Sequence, residues 1–146
     1  MRHTPMLAAL LVAGAGLSVF WGTTAQAQHE PPYVVENGRV DQQTFNGYRR
    51  YGESCHRCHG PDGAGSSYAP SLTESLKRLS YEDFVNVVIN GRVNVNATNN
   101  NVMPSFGLTE DVALYMDDIY GYLKARSDGV LPRGRPKRIG RSESGG

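Results

Sequence analysis

Only two cysteines occur among the 146 residues, Cys55 and Cys58, so the multi-bridge framework of a small secreted scaffold is excluded. An excess of charge of one sign is missing as well. Fifteen Lys and Arg face 14 Asp and Glu, and the body of the chain carries no long basic run. That balance argues against a nucleic-acid binder. The one long apolar stretch, Leu7–Trp21, falls short of the roughly 20 residues needed to span hydrocarbon and contains Gly14, Gly16 and Ser18. Alternating runs of strand length are absent too, so no sheet protein is expected. At this length the chain holds one domain, two at most.

What is present at the N-terminus reads as an export signal over residues 1–27. Arg2 and His3 precede the apolar stretch, and Ala25-Gln26-Ala27 supplies a small-x-small cleavage site. An uncleaved membrane anchor is the alternative, disfavoured by the shortness of the run. Cleavage after Ala27 would leave a chain delivered to the periplasm, without stable membrane insertion. Residues 28–132 then hold 9 basic and 13 acidic side chains. Arg133, Arg135, Lys137, Arg138 and Arg141 set five basics against Glu143 in the remainder. Residues 28–40 contain prolines and read as an irregular, extended arm. Residues 41–131 form the domain. Residues 132–146, rich in Gly, Pro, Arg and Ser, offer no apolar face and read as a disordered basic tail. Docking of that tail on an acidic partner is the alternative to plain solvation.

Within the domain the periodicity is helical. A first helix begins near Asp41 or Thr44, with Thr44 as its cap, and places Phe45, Tyr48 and Tyr51 on one face. Gly47 on that helix is costly unless something approaches the backbone closely. Gly60, Pro61, Gly63, Gly65 and Pro70 mark a loop. Ser71–Leu79 carries Leu72, Leu76 and Leu79 at helical spacing. Ser80-Tyr81-Glu82-Asp83 resembles a capping box for a helix that stops before Gly91. Asn94–Asn101 reads as loop. A closing helix starts after Thr109, with Val112, Tyr115, Met116, Ile119, Tyr122 and Leu123 on its apolar face. The expectation is an all-α chain of short helices and long loops, which needs something extra to fill its core.

Both cysteines fall in Cys55-His56-Arg57-Cys58-His59, the C-x-x-C-H signature of c-type haem attachment. Two thiols one helical turn apart can each add to a porphyrin vinyl group, and His59 then falls under the iron as proximal ligand. Three other readings compete. Zinc wants about four ligands, and outside the pentad the processed chain offers His29 and scattered carboxylates. A thioredoxin-type motif wants a βαβ setting, which is absent. A Cys55–Cys58 disulfide would leave His59 unexplained. His56 reads as a solvent-facing spacer.

The second axial ligand comes from Met103, Met116 or His29. Met116 lies on an apolar helix face and reads as core packing. Met103 follows the Asn-rich stretch, is fixed by Pro104, and is far enough past His59 to reach the opposite haem face. It is the favoured ligand. His/Met coordination raises the potential and closes both axial positions, which suits electron passage.

With these motifs assembled, the chain resembles the class I cytochromes c over roughly residues 42–126. The aromatic-and-Gly helix, the C-x-x-C-H pentad, Gly60-Pro61-Asp62-Gly63-Ala64-Gly65, the Met103-Pro104 loop and the aromatic closing helix carry that resemblance. It implies the class I fold, short helices wrapped around one covalent haem c. It implies that Gly47 and Tyr51 pack against Tyr120 and Tyr122, with Tyr51 in the haem environment. It also implies that the Pro70 carbonyl takes a hydrogen bond from His59. A narrower similarity, to the methanol-metabolism-related cytochromes c, is carried by Phe45-Asn46-Gly47-Tyr48-Arg49-Arg50-Tyr51 and by the run from Asp117 to Pro136. That family would make the chain a carrier, not an enzyme. Its electrons would come from a pyrroloquinoline-quinone (PQQ) alcohol or methanol dehydrogenase, notably the lanthanide-dependent one, and go to a downstream cytochrome or oxidase. A general shuttle to a terminal oxidase is the alternative, followed by a haem enzyme or sensor with a labile sixth ligand.

Overall fold

The structure, a computed structural model, describes residues 30–95 and 100–140. The export signal expected over residues 1–27 lies outside the described residues.

Helix α1 (Gln42–Ser54) starts where Asp41 accepts a hydrogen bond from the Thr44 amide at 3.1 Å. The cap is therefore Asp41. Thr44 stands in the first turn with its side chain buried. Phe45 and Tyr51 are buried on the face expected for them, with Tyr48 half-buried beside them. That face meets α6 (Met116–Ser127), which runs through the middle of the molecule and is buried on most sides. The tight point of the crossing is Gly47. A Cβ there would lie 1.8 Å from the Asp118 carbonyl oxygen and 2.9 Å from the Tyr122 Cβ. Around it the Tyr48 and Tyr51 rings pack on Tyr122 at centroid distances of 5.6 and 5.7 Å. The resemblance had paired α1 with both Tyr120 and Tyr122. The Tyr120 ring instead packs on Tyr81 and Phe84, at 4.9 and 5.3 Å.

Those two residues belong to α4 (Tyr81–Asn90), capped by Ser80, whose hydroxyl accepts from the Asp83 amide at 3.1 Å. Before it, α2 spans His56–His59 and α3 only Leu72–Ser75; the chain from Leu76 to Arg78 continues as a turn. The closing helix expected after Thr109 is two helices, α5 (Glu110–Leu114) and α6, separated at Tyr115.

Short strands occur where none was expected. Val35–Glu36 (β1) and Arg39–Val40 (β2) form an antiparallel hairpin across Asn37-Gly38, both with positive φ. That is the two-residue turn whose twist suits a hairpin. The Pro-containing arm thus ends in a hairpin, and its Pro32 carbonyl lies against α6 at Gly121, 2.2 Å from where a Cβ would stand. Lys137–Arg138 (β5) pairs parallel with β2. Part of the segment read as a disordered tail is therefore a strand, and Leu131 and Pro136 are buried. Arg92–Val95 (β3) and Asn100–Met103 (β4) pair antiparallel and overlap both ends of Asn94–Asn101, the stretch read as loop.

Two glycines one turn and a residue apart on α1 test the crossing. Gly47→Ala is expected to destabilise the protein by ~3 kcal/mol or more, because the new methyl meets backbone. Gly52→Ala has nothing within 4 Å of its Cβ and is expected to stabilise by about 0.5–1 kcal/mol. Thermal or denaturant unfolding of the two variants reads the difference.

Candidate haem-binding site

The pentad is built on the end of α1. The Cys55 amide donates to the Tyr51 carbonyl at 2.9 Å, closing that helix. The chain then restarts as α2, with the Cys58 and His59 amides donating to the Cys55 carbonyl at 3.2 and 3.0 Å. Cys55 and Cys58 are not joined to each other, so the disulfide alternative is not realised. Burial, with Cys58 adding to it, pushes the Cys55 thiol up to about 11. His56 faces solvent.

His59 is 7% exposed, and its Nδ1 lies 3.0 Å from the Pro70 carbonyl oxygen. A carbonyl can only accept, so Nδ1 carries the proton and Nε2 presents its lone pair. This is the arrangement by which an outer partner fixes a metal-binding histidine.

The loop after His59 is held from within. Tyr51 donates its hydroxyl hydrogen to the Gly60 carbonyl and accepts from the Gly63 amide at 3.0 Å. The Gly65 amide donates to the His59 carbonyl at 2.7 Å, and the Ser66 hydroxyl to the Cys58 carbonyl. Gly60 has φ 71°, and a Cβ on it would lie 2.3 Å from the Gly65 carbonyl oxygen. Burial is the main cause that takes the Tyr51 phenol up to about 12.

Met103 sits at the end of β4 on a separate unit. The last carbonyls of α4 need partners outside the helix. The Phe106 amide serves Val88 at 2.9 Å, and the Gly107 amide serves Ile89 at 3.2 Å, assisted by the Ser105 hydroxyl. Gly91, with φ 74°, lets the Met103 carbonyl come to 2.5 Å from where a Cβ would stand. The segment that carries Met103 is thereby clamped to α4, with the side chain half-buried. Met116 is 7% exposed in the core.

The structure thus gathers Tyr51, Cys55, Cys58, His59 and Pro70 into one hydrogen-bonded cluster and presents Met103 from the α4 unit. The supporting roles of Ser66 and Gly91 were not read from the sequence; the glycine directly after a helix was the available signal for the second. Among the described residues no group of three His, Cys, Asp or Glu converges as a metal site, so zinc has no ligand set there.

Two unpaired thiols a turn apart, followed by a buried imidazole whose free nitrogen is Nε2, fit a covalently attached iron porphyrin. Helices of this size and order around such a donor set define a c-type cytochrome. The family described as cytochrome c oxidase, cbb3-type, subunit III, matches residues 42–123, and the chain belongs to that family of cytochrome c domains. Its cofactor is covalently bound haem c. The chain is 51% identical over 113 residues to cytochrome c-553I of Paracoccus denitrificans, covering 77% of this chain and 50% of that protein. It is 45% identical over 96 residues to cytochrome c-555 of Methylococcus capsulatus, covering 65% of this chain and 72% of that one. The chain therefore spans half the length of cytochrome c-553I. The crystal structure of the c-type cytochrome XoxG from Methylobacterium extorquens AM1 matches with a TM-score of 0.64 at 40% identity, over 81% of this chain and 79% of that one.

Replacing Tyr51 by Phe leaves the Gly60 carbonyl and the Gly63 amide without their shared partner. A loss of about 1–3 kcal/mol in denaturant unfolding is expected. Alkaline titration follows from the same burial. Tyr33, half-buried and hydrogen-bonded to Asp128, and the buried Tyr51 are both pushed up to about 12 from an ordinary 10 in the folded protein. Their contribution to stability is intact below pH 10 and is lost as pH rises toward 12. Denaturant midpoints should be flat up to pH 10 and fall above it, as tyrosinate absorbance grows.

Proposed function

We propose that this chain is a periplasmic single-haem electron carrier. Cys55 and Cys58 hold the haem through thioethers, and His59 and Met103 hold its iron. The observation that carries the reading is the His59 Nδ1 contact with the Pro70 carbonyl, because it leaves Nε2 as the one nitrogen able to bind iron. When bound, the haem supplies a one-electron ferric/ferrous couple.

The chain's own residues fix that couple in place. Pro70 holds the His59 ring, the Tyr51 hydroxyl holds the turn that follows it, and the α4 carbonyls hold the Met103 segment. Ligands that stay put through a redox cycle keep the reorganisation accompanying electron transfer small. With both axial positions filled, no substrate reacts at the iron. At the thioether edge Cys58 is exposed, and a cavity of about 210 Å³ lined by Arg57, Cys58 and Tyr68 opens beside it. This edge is where a partner approaches, and redox partners of this kind meet over small, transient interfaces.

The electron donor in this reading is a PQQ-dependent alcohol dehydrogenase, of the methanol-oxidising kind. The acceptor is a downstream cytochrome or oxidase. The resemblance of Phe45–Tyr51 and Asp117–Pro136 to the methanol-metabolism-related cytochromes supports the donor, as does the match to XoxG. Periplasmic location rests on the export signal at residues 1–27. Among the described residues no helix is long and apolar enough to cross a membrane.

Two experiments test the proposal. The ferric holoprotein should show the near-infrared Met–Fe charge-transfer band, which Met103→Ala should abolish while opening the ferric iron to cyanide and, once reduced, the ferrous iron to carbon monoxide. Ready binding of either by the unaltered protein would instead point to a haem enzyme or sensor. For the donor, oxidised holoprotein is mixed in stopped flow with a reduced PQQ alcohol dehydrogenase. Haem reduction well above that of a control cytochrome is expected, and equal rates would rule the donor out.

A further inference from the structure

The basic segment after α6 is bound to its own domain. It leaves the helix with Leu131 and Pro136 buried, pairs as β5 with β2, and continues to the Ile139 amide, which donates to the Val40 carbonyl at 2.8 Å. Between these anchors it crosses the turn that follows His59. There the Gly134 amide lies 3.2 Å from each carboxylate oxygen of Asp62, and the Arg133 Nε lies 3.4 Å away. The Tyr122 hydroxyl donates to the same carboxylate at 3.4 Å. The Asp62 side chain is only 10% exposed, whereas Arg133 is 67% exposed. Asp62 also takes a left-handed backbone, φ 59°, which costs a non-glycine residue energy and is tolerated best by Asn and Asp.

This places a buried anion three residues beyond the proximal histidine, in a turn that Tyr51 locks at Gly60 and Gly63. Its partners offset the charge only in part. Two are neutral groups, and the one cation is mostly in water, where solvent screens it. The carboxylate's field reaches the neighbouring phenols: it is among the causes, after burial, that raise Tyr51 and Tyr122. Adding an electron to a ferric haem lowers the charge of the centre by one. A fixed negative charge nearby stabilises the oxidised form more than the reduced one. A cation beside that anion does the opposite.

We propose that Asp62, clamped by Arg133 and Gly134 of the C-terminal strap, is a positioning residue that holds the reduction potential of the haem low. The basic strap sets the strength of that effect instead of docking an acidic partner. This inference rests on the haem reading above, and its failure is separable from the failure of that reading.

The experiment is spectroelectrochemical titration of the full-length holoprotein and three variants. Asp62→Asn keeps the shape and hydrogen-bonding reach of the side chain and removes its charge, so the potential should rise. Arg133→Ala and Arg133→Glu, at an exposed position outside the turn, should lower it, the second more than the first. Both Arg133 shifts should shrink as salt is raised. A merely structural role would leave the potential unmoved while lowering the unfolding temperature, or would shift all three variants in one direction. Either result overturns the proposal. If Asp62→Asn fails to fold, the Arg133 pair decides alone, since unchanged potentials in both would be equally fatal. A wild-type protein without a pyridine haemochrome spectrum would overturn the haem reading itself, and this inference with it.

Discussion

Helix α1 lies against α6 with no side chain between them at Gly47, and the site depends on that approach. Because Gly47 touches the Asp118 carbonyl, Tyr51 one turn later reaches across to Tyr122 and is fully buried. From there its hydroxyl bridges Gly60 and Gly63, which fixes the turn after the pentad. The turn returns Gly65 to the His59 carbonyl and leads to Pro70, whose own carbonyl orients the His59 ring. A side chain at Gly47 would move the first member of this series, and each later member takes its position from the one before.

The second half of the site obeys a different constraint. Helix α4 ends with carbonyls that have lost their intrahelical partners. Those carbonyls are met by Ser105, Phe106 and Gly107, directly after Met103-Pro104. The same bonds that terminate the helix tie down the segment directly after the methionine. One half of the proposed site is thus set by helix crossing and the other by helix termination. A covalent haem bridging them would also supply core that short helices cannot build alone.

Much of this was legible in the sequence because it depends on local chemistry. The pentad declares two thiols and an imidazole at fixed spacing, Ser80 caps α4 as read, and Gly47 is at the close approach its helical position demanded. What was missed depends on contacts or lengths that periodicity does not register. The β1–β2 hairpin has strands of two residues, too short to alternate, although Asn37-Gly38 was a readable turn. In β3 all four residues are exposed, so backbone pairing, not burial, makes the strand. The tail looked solvated because it has few apolar residues. The buried Pro136, the pairing of β5 with β2 and a carboxylate 72 residues away in sequence hold it. Asp41 and Thr44 are both good caps by composition, and only the packing of Thr44 into the core decides between them.

The central claim is that His59 and Met103 face one haem from its two sides. Nuclear magnetic resonance of the reduced holoprotein, labelled at the methionine methyl carbons, tests it most directly. A methyl group bound at the iron sits over the porphyrin and feels its ring current in full. One methionine methyl resonance is therefore expected far upfield, and it should belong to Met103, with Met116 in the ordinary range. An upfield resonance from Met116, or from no methionine at all, would contradict the assignment.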